Sequence, residues 1–241
     1  MRISVIIPTL GFPETVKKLF LSLESQTLIP FEIIIIDSSS DDEIYKLVTN
    51  FQSQLSIKYF KVENFFPGTA RNFGIKKSTG DAIAILDSKT IPTKDWLIKS
   101  MDILVNQGYD ISFGSTCYVA QTFFQKMLQA CLYGKDPVET TPGSVFLRSQ
   151  LSRVGLFIEG TRTADDLEWR ERINNNNLKS FTHKKYTQTY NNISTNLLQE
   201  IKRQFIYQIH AAKLEVQLKA RIVILGVGLF FLTLLIPKIT I

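Results

Sequence analysis

The sequence is poor in the residues that build metal centres and disulfide frameworks. Its 241 residues include two histidines, His183 and His210, and two cysteines, Cys117 and Cys131. The cysteine separation fits neither a close-spaced zinc pair nor a disulfide framework, so a reducing compartment is the simpler expectation. Nucleotide-binding glycine fingerprints are missing as well. No Gly-x-Gly-x-x-Gly follows the first apolar run, which removes the main support for a dinucleotide dehydrogenase. Gly68 and Gly74 are separated by five residues and Ile75 follows, so no P-loop is present. There is no aromatic-interleaved basic stripe and no nucleic-acid module, and no nucleic-acid partner is expected. The apolar run at the start is broken by Pro8 and is too short for a secretory leader.

What is present is an ordinary globular composition, 44% hydrophobic and 21% charged. The length holds one large α/β domain and a short appendage. A net charge of +6 favours phosphate-bearing small molecules or anionic surfaces. Over the first 90 or so residues, apolar strand-like runs alternate with amphipathic segments, the pattern of βαβ units around a mostly parallel sheet. Strands are predicted at Ile3–Ile7, Glu32–Ile36, Ile57–Val62 and Ala82–Leu86, and helices over Glu14–Ser25 and from Asp41 to Phe51. Beyond Gly108 the periodicity weakens. A strand is predicted at Asp110–Ser115, a helix around Phe123–Leu132, an apolar run at Ser144–Leu147 and an acidic helix at Ala164–Asn174.

Two strands end on acids, Asp37 and Asp87, and the carboxyl ends of strands are where open α/β sheets place ligands. The loop from Asp37 to Asp42 can accept hydrogen bonds from a nucleoside or can be a solvated loop that caps the next helix. In Asp87-Ser88-Lys89 an acid meets a Lys two residues later on the same side of the chain, which reads either as a functional pair or as a structural salt bridge.

Five segments then recur in order: Val5-Ile6-Ile7-Pro8-Thr9, Ile36-Asp37-Ser38-Ser39-Ser40-Asp41, Ala70-Arg71-Asn72-Phe73-Gly74-Ile75 with Gly80-Asp81, Leu86-Asp87-Ser88 with Trp96-Leu97, and Gly155-Leu156-Phe157 followed by Asp165-Asp166-Leu167-Glu168-Trp169 and Arg172. Residues 1–185 thereby resemble family 2 inverting glycosyltransferases of the GT-A, Rossmann-like fold. The resemblance implies that Pro8, Thr9 and Asp37 surround the nucleotide's base and ribose, with Arg71 near the same nucleotide. Asp87 stands at the first acid of the family's Asp-x-Asp motif, close to the diphosphate and to a divalent cation, Mg2+ or Mn2+. Asp166 is implied as the catalytic base, with Asp165 and Arg172 supporting the acidic helix. The implied partners are a nucleotide-sugar donor and a glycan or lipid-linked acceptor in surface polysaccharide or glycoconjugate assembly. One departure matters: Lys89 occupies the place of the motif's second acid. Either its ammonium replaces part of the metal's charge, or it neutralises Asp87 in a non-catalytic nucleotide-sugar or lipid-binding protein on a decayed transferase fold.

A composition change near Asn191–Asn196 divides the chain into an enzyme domain over residues 1–190, a basic amphipathic helix over 191–220 and a final segment over 221–241. Leu198, Ile201, Phe205, Ile209, Ala212 and Val216 fall at helical spacing, among Lys202, Arg203, Lys213 and Lys219. Ile222–Ile236 carries no charge and spans roughly 22 Å as a helix, short of the roughly 30 Å hydrocarbon core. With the tail to Ile241 it reads as a membrane anchor, and Lys213, Lys219 and Arg221 before it predict a membrane-associated catalytic domain on the cytoplasmic face.

Overall fold

Isoleucine-rich runs make buried strands here because helices cover both faces of the sheet they join. The computed structural model describes residues 1–214. β1 (Ile3–Thr9), α1 (Pro13–Glu24), β2 (Glu32–Asp37), α2 (Glu43–Asn50), β3 (Ile57–Lys61), α3 (Pro67–Lys77) and β4 (Ala82–Ile85) follow one another. β5 (Thr90–Pro92), α4 (Trp96–Val105), β6 (Ile111–Tyr118) and α5 (Phe123–Leu128) come next, with a π-helical turn at Gln129–Tyr133. β7 (Val138–Leu147), α6 (Leu151–Val154), α7 (Asp165–Asn175), β8 (Ser180–Thr182), β9 (Gln188–Tyr190) and α8 (Leu197–Lys213) complete the described chain.

The strands form one sheet in the order β3-β2-β1-β4-β7-β6-β9-β5, with β8 paired to β6. β3, β2, β1 and β4 are parallel, whereas β7 runs antiparallel to both β4 and β6, and β5 antiparallel to β9. β8 and β9 run parallel to β6, so the sheet is mixed, with five parallel pairings and three antiparallel ones. Each antiparallel pairing involves a strand from beyond Gly108, where the sequence shows little period. Alternation along β1 divides the core. Ile3, Val5 and Ile7 pack with α1 and with Trp96 and Leu97 of α4, while Ile6 packs on the other face with Ala70 and Ile75 of α3 and Trp169 of α7. Gly74 lets α3 lie this close, because a Cβ there would stand 2.5 Å from a methyl of Ile6 and 2.7 Å from Ile36. Thr9 pairs with Asp37 in the β1–β2 register, so those two strands end level.

The opposite end of β2 carries a buried acid. Glu32 accepts hydrogen bonds from the Ser4 hydroxyl at 2.7 Å, the Thr79 backbone N–H at 2.6 Å and the Lys58 ammonium at 2.6 Å. Burial opposes its ionisation, but these donors prevail and hold its carboxyl down to about 2, against 4.5 when unperturbed. A depressed carboxyl stabilises the fold above its unfolded value and loses that contribution as pH falls. Glu32 should therefore drive loss of stability as pH drops from 4.5 towards about 2. Acid titration of Tm should show a shallower slope over that window in Glu32→Gln, which starts lower by roughly 1–3 kcal/mol at neutral pH.

The expected membrane anchor is corrected. Among the described residues no helix is long and apolar enough to cross a membrane. The run Ile222–Ile236, on which that expectation rests, lies outside them. The architecture is a mixed α/β domain followed by α8, and the expectations of a membrane partner and of a membrane-associated domain on the cytoplasmic face are withdrawn with the anchor. α8 itself seats Ala211 and Tyr207 against Ala164 and Leu167 of the domain. Of the apolar positions at helical spacing, Leu198, Ile201, Phe205 and Ile209 point outward, with Leu198 80% and Phe205 67% exposed.

Candidate functional site

Asp87, Asp165 and Asp166 meet Arg71 and Lys89, drawn from separate parts of the chain, in one cleft of about 830 Å³ beyond the ends of β4 and β6. α3 contributes Arg71, one turn past Pro67, a residue suited to a helix start because its ring presets φ and its missing N–H is not needed there. The segment after β4 contributes Asp87 and Lys89. α7 contributes Asp165 and Asp166 from its first turn, where a helix N-terminus favours negative charge. Ala164, just before them, is held at φ 69°, a left-handed conformation that costs a non-glycine residue roughly 1–3 kcal/mol.

Arg71 ties these pieces together. Its guanidinium is 95% buried, donates to Asp165 from Nη1 and donates to Asp87 from Nη2 at 3.0 Å. Its face lies 5.4 Å from the Phe157 ring centroid. Burial disfavours the guanidinium's charge, but Asp165, Asp87 and Asp166 outweigh it and raise its pKa further. Burial, together with the negative charges of Asp166 and Asp87, pushes the Asp165 carboxyl up against the pull of Arg71. Gly68 allows the close approach of α3 and α7, since a Cβ there would stand 2.2 Å from the Ile158 carbonyl oxygen and 3.3 Å from Asp165.

Asp166 is half-buried and lines the cleft, and among the described residues its carboxylate accepts no hydrogen bond. Its backbone is fixed by the Thr141 hydroxyl, which donates to its carbonyl at 3.1 Å. Asp87 pairs with Arg71 and not with Lys89, which corrects the salt-bridge reading of that dipeptide step. Lys89 makes no ion pair among the described residues; its ammonium sits 4.3 Å from the Phe12 ring centroid, and burial lowers its pKa.

The other expected residues lie outside the cleft lining. Pro8 and Thr9 end β1, and Asp37 ends β2 fully buried. Both oxygens of Asp37 are engaged. One accepts from the Ser39 N–H at 3.0 Å and from the Ser39 hydroxyl, the other from the Tyr59 hydroxyl at 2.8 Å and the Lys61 ammonium at 3.2 Å. Burial and the Asp37 carboxylate push the Tyr59 hydroxyl's pKa up. With about four lone-pair positions filled, Asp37 orders the loop after β2. Arg172 holds α7 from behind, pairing with Glu168 at 2.6 Å and donating to the Val154 and Leu156 carbonyls at 2.7 and 2.9 Å.

Sequence reasoning missed the far wall. Tyr118, Tyr133 and Tyr190 line the cleft together with Lys202 and Arg203 of α8. Tyr118 stacks on Tyr133 at 4.4 Å and tilts against Tyr190 at 5.4 Å. A second cavity of about 390 Å³, bounded by Ile98, Asp102, Phe181 and His183, is separate and contains none of the three clustered acids.

Known proteins are similar to this chain in sequence and in fold. An uncharacterized glycosyltransferase of Rickettsia conorii is 42% identical over 94 residues, 39% of this chain but only 16% of its own length. The chain thus spans about a sixth of that relative. Among solved structures, residues 1–349 of Staphylococcus aureus TarS in complex with UDP-GlcNAc superpose with a TM-score of 0.65 at 20% identity, covering 83% of this chain and 61% of that one. A mannosyltransferase of Pyrobaculum calidifontis in complex with GDP-Man and Mn2+ gives a TM-score of 0.61 at 19% identity, covering 84% and 60%. The family model for glycosyl transferase family 2 matches residues 4–155. With well over half its length matched, the chain belongs to glycosyl transferase family 2.

Proposed function

We propose that the chain transfers a sugar from a nucleotide-sugar to an acceptor hydroxyl, with inversion at the anomeric carbon. The observation that carries this reading is the Asp166 carboxylate, without a hydrogen-bond donor among the described residues, beside a buried Arg71 that clamps Asp165 and Asp87. An acceptor hydroxyl is a poor nucleophile until a positioned base takes its proton, and Asp166 is the base. In one displacement the hydroxyl oxygen bonds to the anomeric carbon, its proton passes to the Asp166 carboxylate, and the carbon–oxygen bond to the diphosphate breaks with its electron pair leaving on the phosphate. Arg71 holds Asp165 and Asp87 in place, so that the charge of the site is set before substrate arrives. Arg172 and Glu168 fix the helix that bears the base.

The base and ribose lie at the level ends of β1 and β2, around Pro8, Thr9 and the loop that Asp37 orders. A base N–H reaches Asp37 only by displacing one of its present donors. The donor is a uridine or guanosine diphosphate sugar, the two classes seen in the solved relatives. The acceptor is a glycan or lipid-linked hydroxyl in surface polysaccharide or glycoconjugate assembly. A divalent cation does not fit the residues present. Among the described residues no three His, Cys, Asp or Glu side chains are grouped to hold a metal ion, Asp87 is engaged by Arg71, and Lys89 replaces the second acid.

Thermal unfolding of the full chain against uridine and guanosine diphosphate sugars, with Mn2+ or with EDTA, tests the reading. A Tm rise with one nucleotide class, equal under both conditions, is expected. No stabilisation by any of them, from folded protein, contradicts it and favours the decayed-fold alternative that Lys89 raises.

A further inference from the structure

The cleft is lined by cations with unused hydrogen-bond donors, and one of them, Arg203, paired with Glu200, comes from outside the part of the chain that resembles the family. Lys89 is half-buried and without an ion pair among the described residues. Across the cleft, α8 is seated on Ala164 and Leu167, the residues flanking Asp165 and Asp166, through Ala211 and Tyr207. That seat turns Lys202, Arg203 and Gln204 to the cleft. Arg203 is held firmly. Its Nη2 donates to the Tyr133 hydroxyl and to Glu200 at 2.5 Å, and its guanidinium carbon lies 5.6 Å from the Tyr133 ring centroid. The stack of Tyr133, Tyr118 and Tyr190 braces it from β6 and β9. An arginine has five N–H donors, and among the described residues the Nη1 and Nε groups of Arg203 have no protein acceptor.

Two partly desolvated cations in one cleft repel each other and leave donors unused. Burial lowers the pKa of both; at Lys89 the Asp87 carboxylate offsets part of this, and the charge of Arg203 adds to it. An anion between them removes the repulsion and uses the donors. We propose that Lys89 and Arg203 together grip the donor's diphosphate without a metal ion, making α8 a wall of the nucleotide-sugar site. The inference rests on the nucleotide-sugar reading above. As the bond to the anomeric carbon breaks, its electron pair develops negative charge on the phosphate oxygen, and the guanidinium fork and the ammonium take the place that a divalent ion fills elsewhere.

Titration calorimetry in EDTA with UDP and GDP, each against its monophosphate, tests the clamp. The wild-type chain is expected to bind one diphosphate; Arg203→Gln and Lys89→Gln each weaken it about tenfold or more, and the matching monophosphate by no more than about twofold. Arg203→Lys recovers part of the loss. Tyr133→Phe, which removes the hydroxyl partner without altering α8, weakens diphosphate in the same direction. Leu198→Ala, on the outward face of α8, keeps wild-type affinity and shows that the helix is otherwise sound. Wild-type diphosphate affinity in Arg203→Gln, or diphosphate binding by the wild type only with Mn2+, overturns the clamp and leaves the donor reading standing. No diphosphate binding by the wild type with or without Mn2+ overturns both.

Discussion

Asp166→Asn should lower kcat by roughly 10²–10⁴-fold while Tm and nucleotide affinity stay close to those of the wild type. The asymmetry follows from where the carboxylate stands. Asp166 is half-buried in the first turn of α7, and among the described residues nothing donates to its side chain, so the amide removes little that holds the fold together. It does remove the acceptor for the proton of the attacking hydroxyl. Steady-state rates beside melting curves separate the two effects. A comparable fall in Tm would mean that Asp166 is a structural acid and that the base lies elsewhere.

The largest stability effect should come from Arg71→Met. Its guanidinium is almost wholly buried between Asp165 and Asp87, and removing it strands a buried carboxylate beside two others, at a cost of roughly 3–5 kcal/mol. Arg71→Lys should not rescue it, because a single ammonium cannot reproduce a planar fork that reaches both acids. Adding Asp165→Asn to Arg71→Met should recover a large part of the loss, since the stranded charge is then gone. Denaturant unfolding of the two single variants and the double variant checks this; additive losses would mean that the Arg71–Asp165 contact carries no coupling.

The legibility of this fold follows the chemistry of its segments. Ile3–Thr9, Glu32–Asp37 and Ala82–Ile85 are short, largely apolar runs buried on both faces, the composition of a strand covered by helices on either side. The short strands beyond β4 were not legible. β5, β8 and β9 are three residues each, and a strand that short has no period to read. β7 runs through Pro142 and Gly143; Gly143 is at φ 87°, and the Trp96 indole donates to its carbonyl at 2.8 Å.

The acids were found at the ends of predicted elements, but their partners were not. Nothing in the spacing of Arg71 and Asp165, 94 residues apart, shows that they pair. The cleft's far wall was missed for a related reason. In α8 the pattern Leu198, Ile201, Phe205 and Ile209 is the conspicuous one, yet that stripe faces outward, and the helix docks through the smaller Ala211 while Arg203 turns inward. Periodicity finds a helix's apolar side, and only tertiary contact tells which side the domain uses.

Anomeric stereochemistry tests the central claim most directly. Proton NMR of the first product formed from an α-linked uridine or guanosine diphosphate sugar, with wild type and Asp166→Asn side by side, reads the displacement itself. A β-configured product from the wild type, and a rate reduced at least about a hundredfold in the variant, is the predicted result. An α-configured product, or equal rates in the two proteins, would contradict direct displacement driven by Asp166.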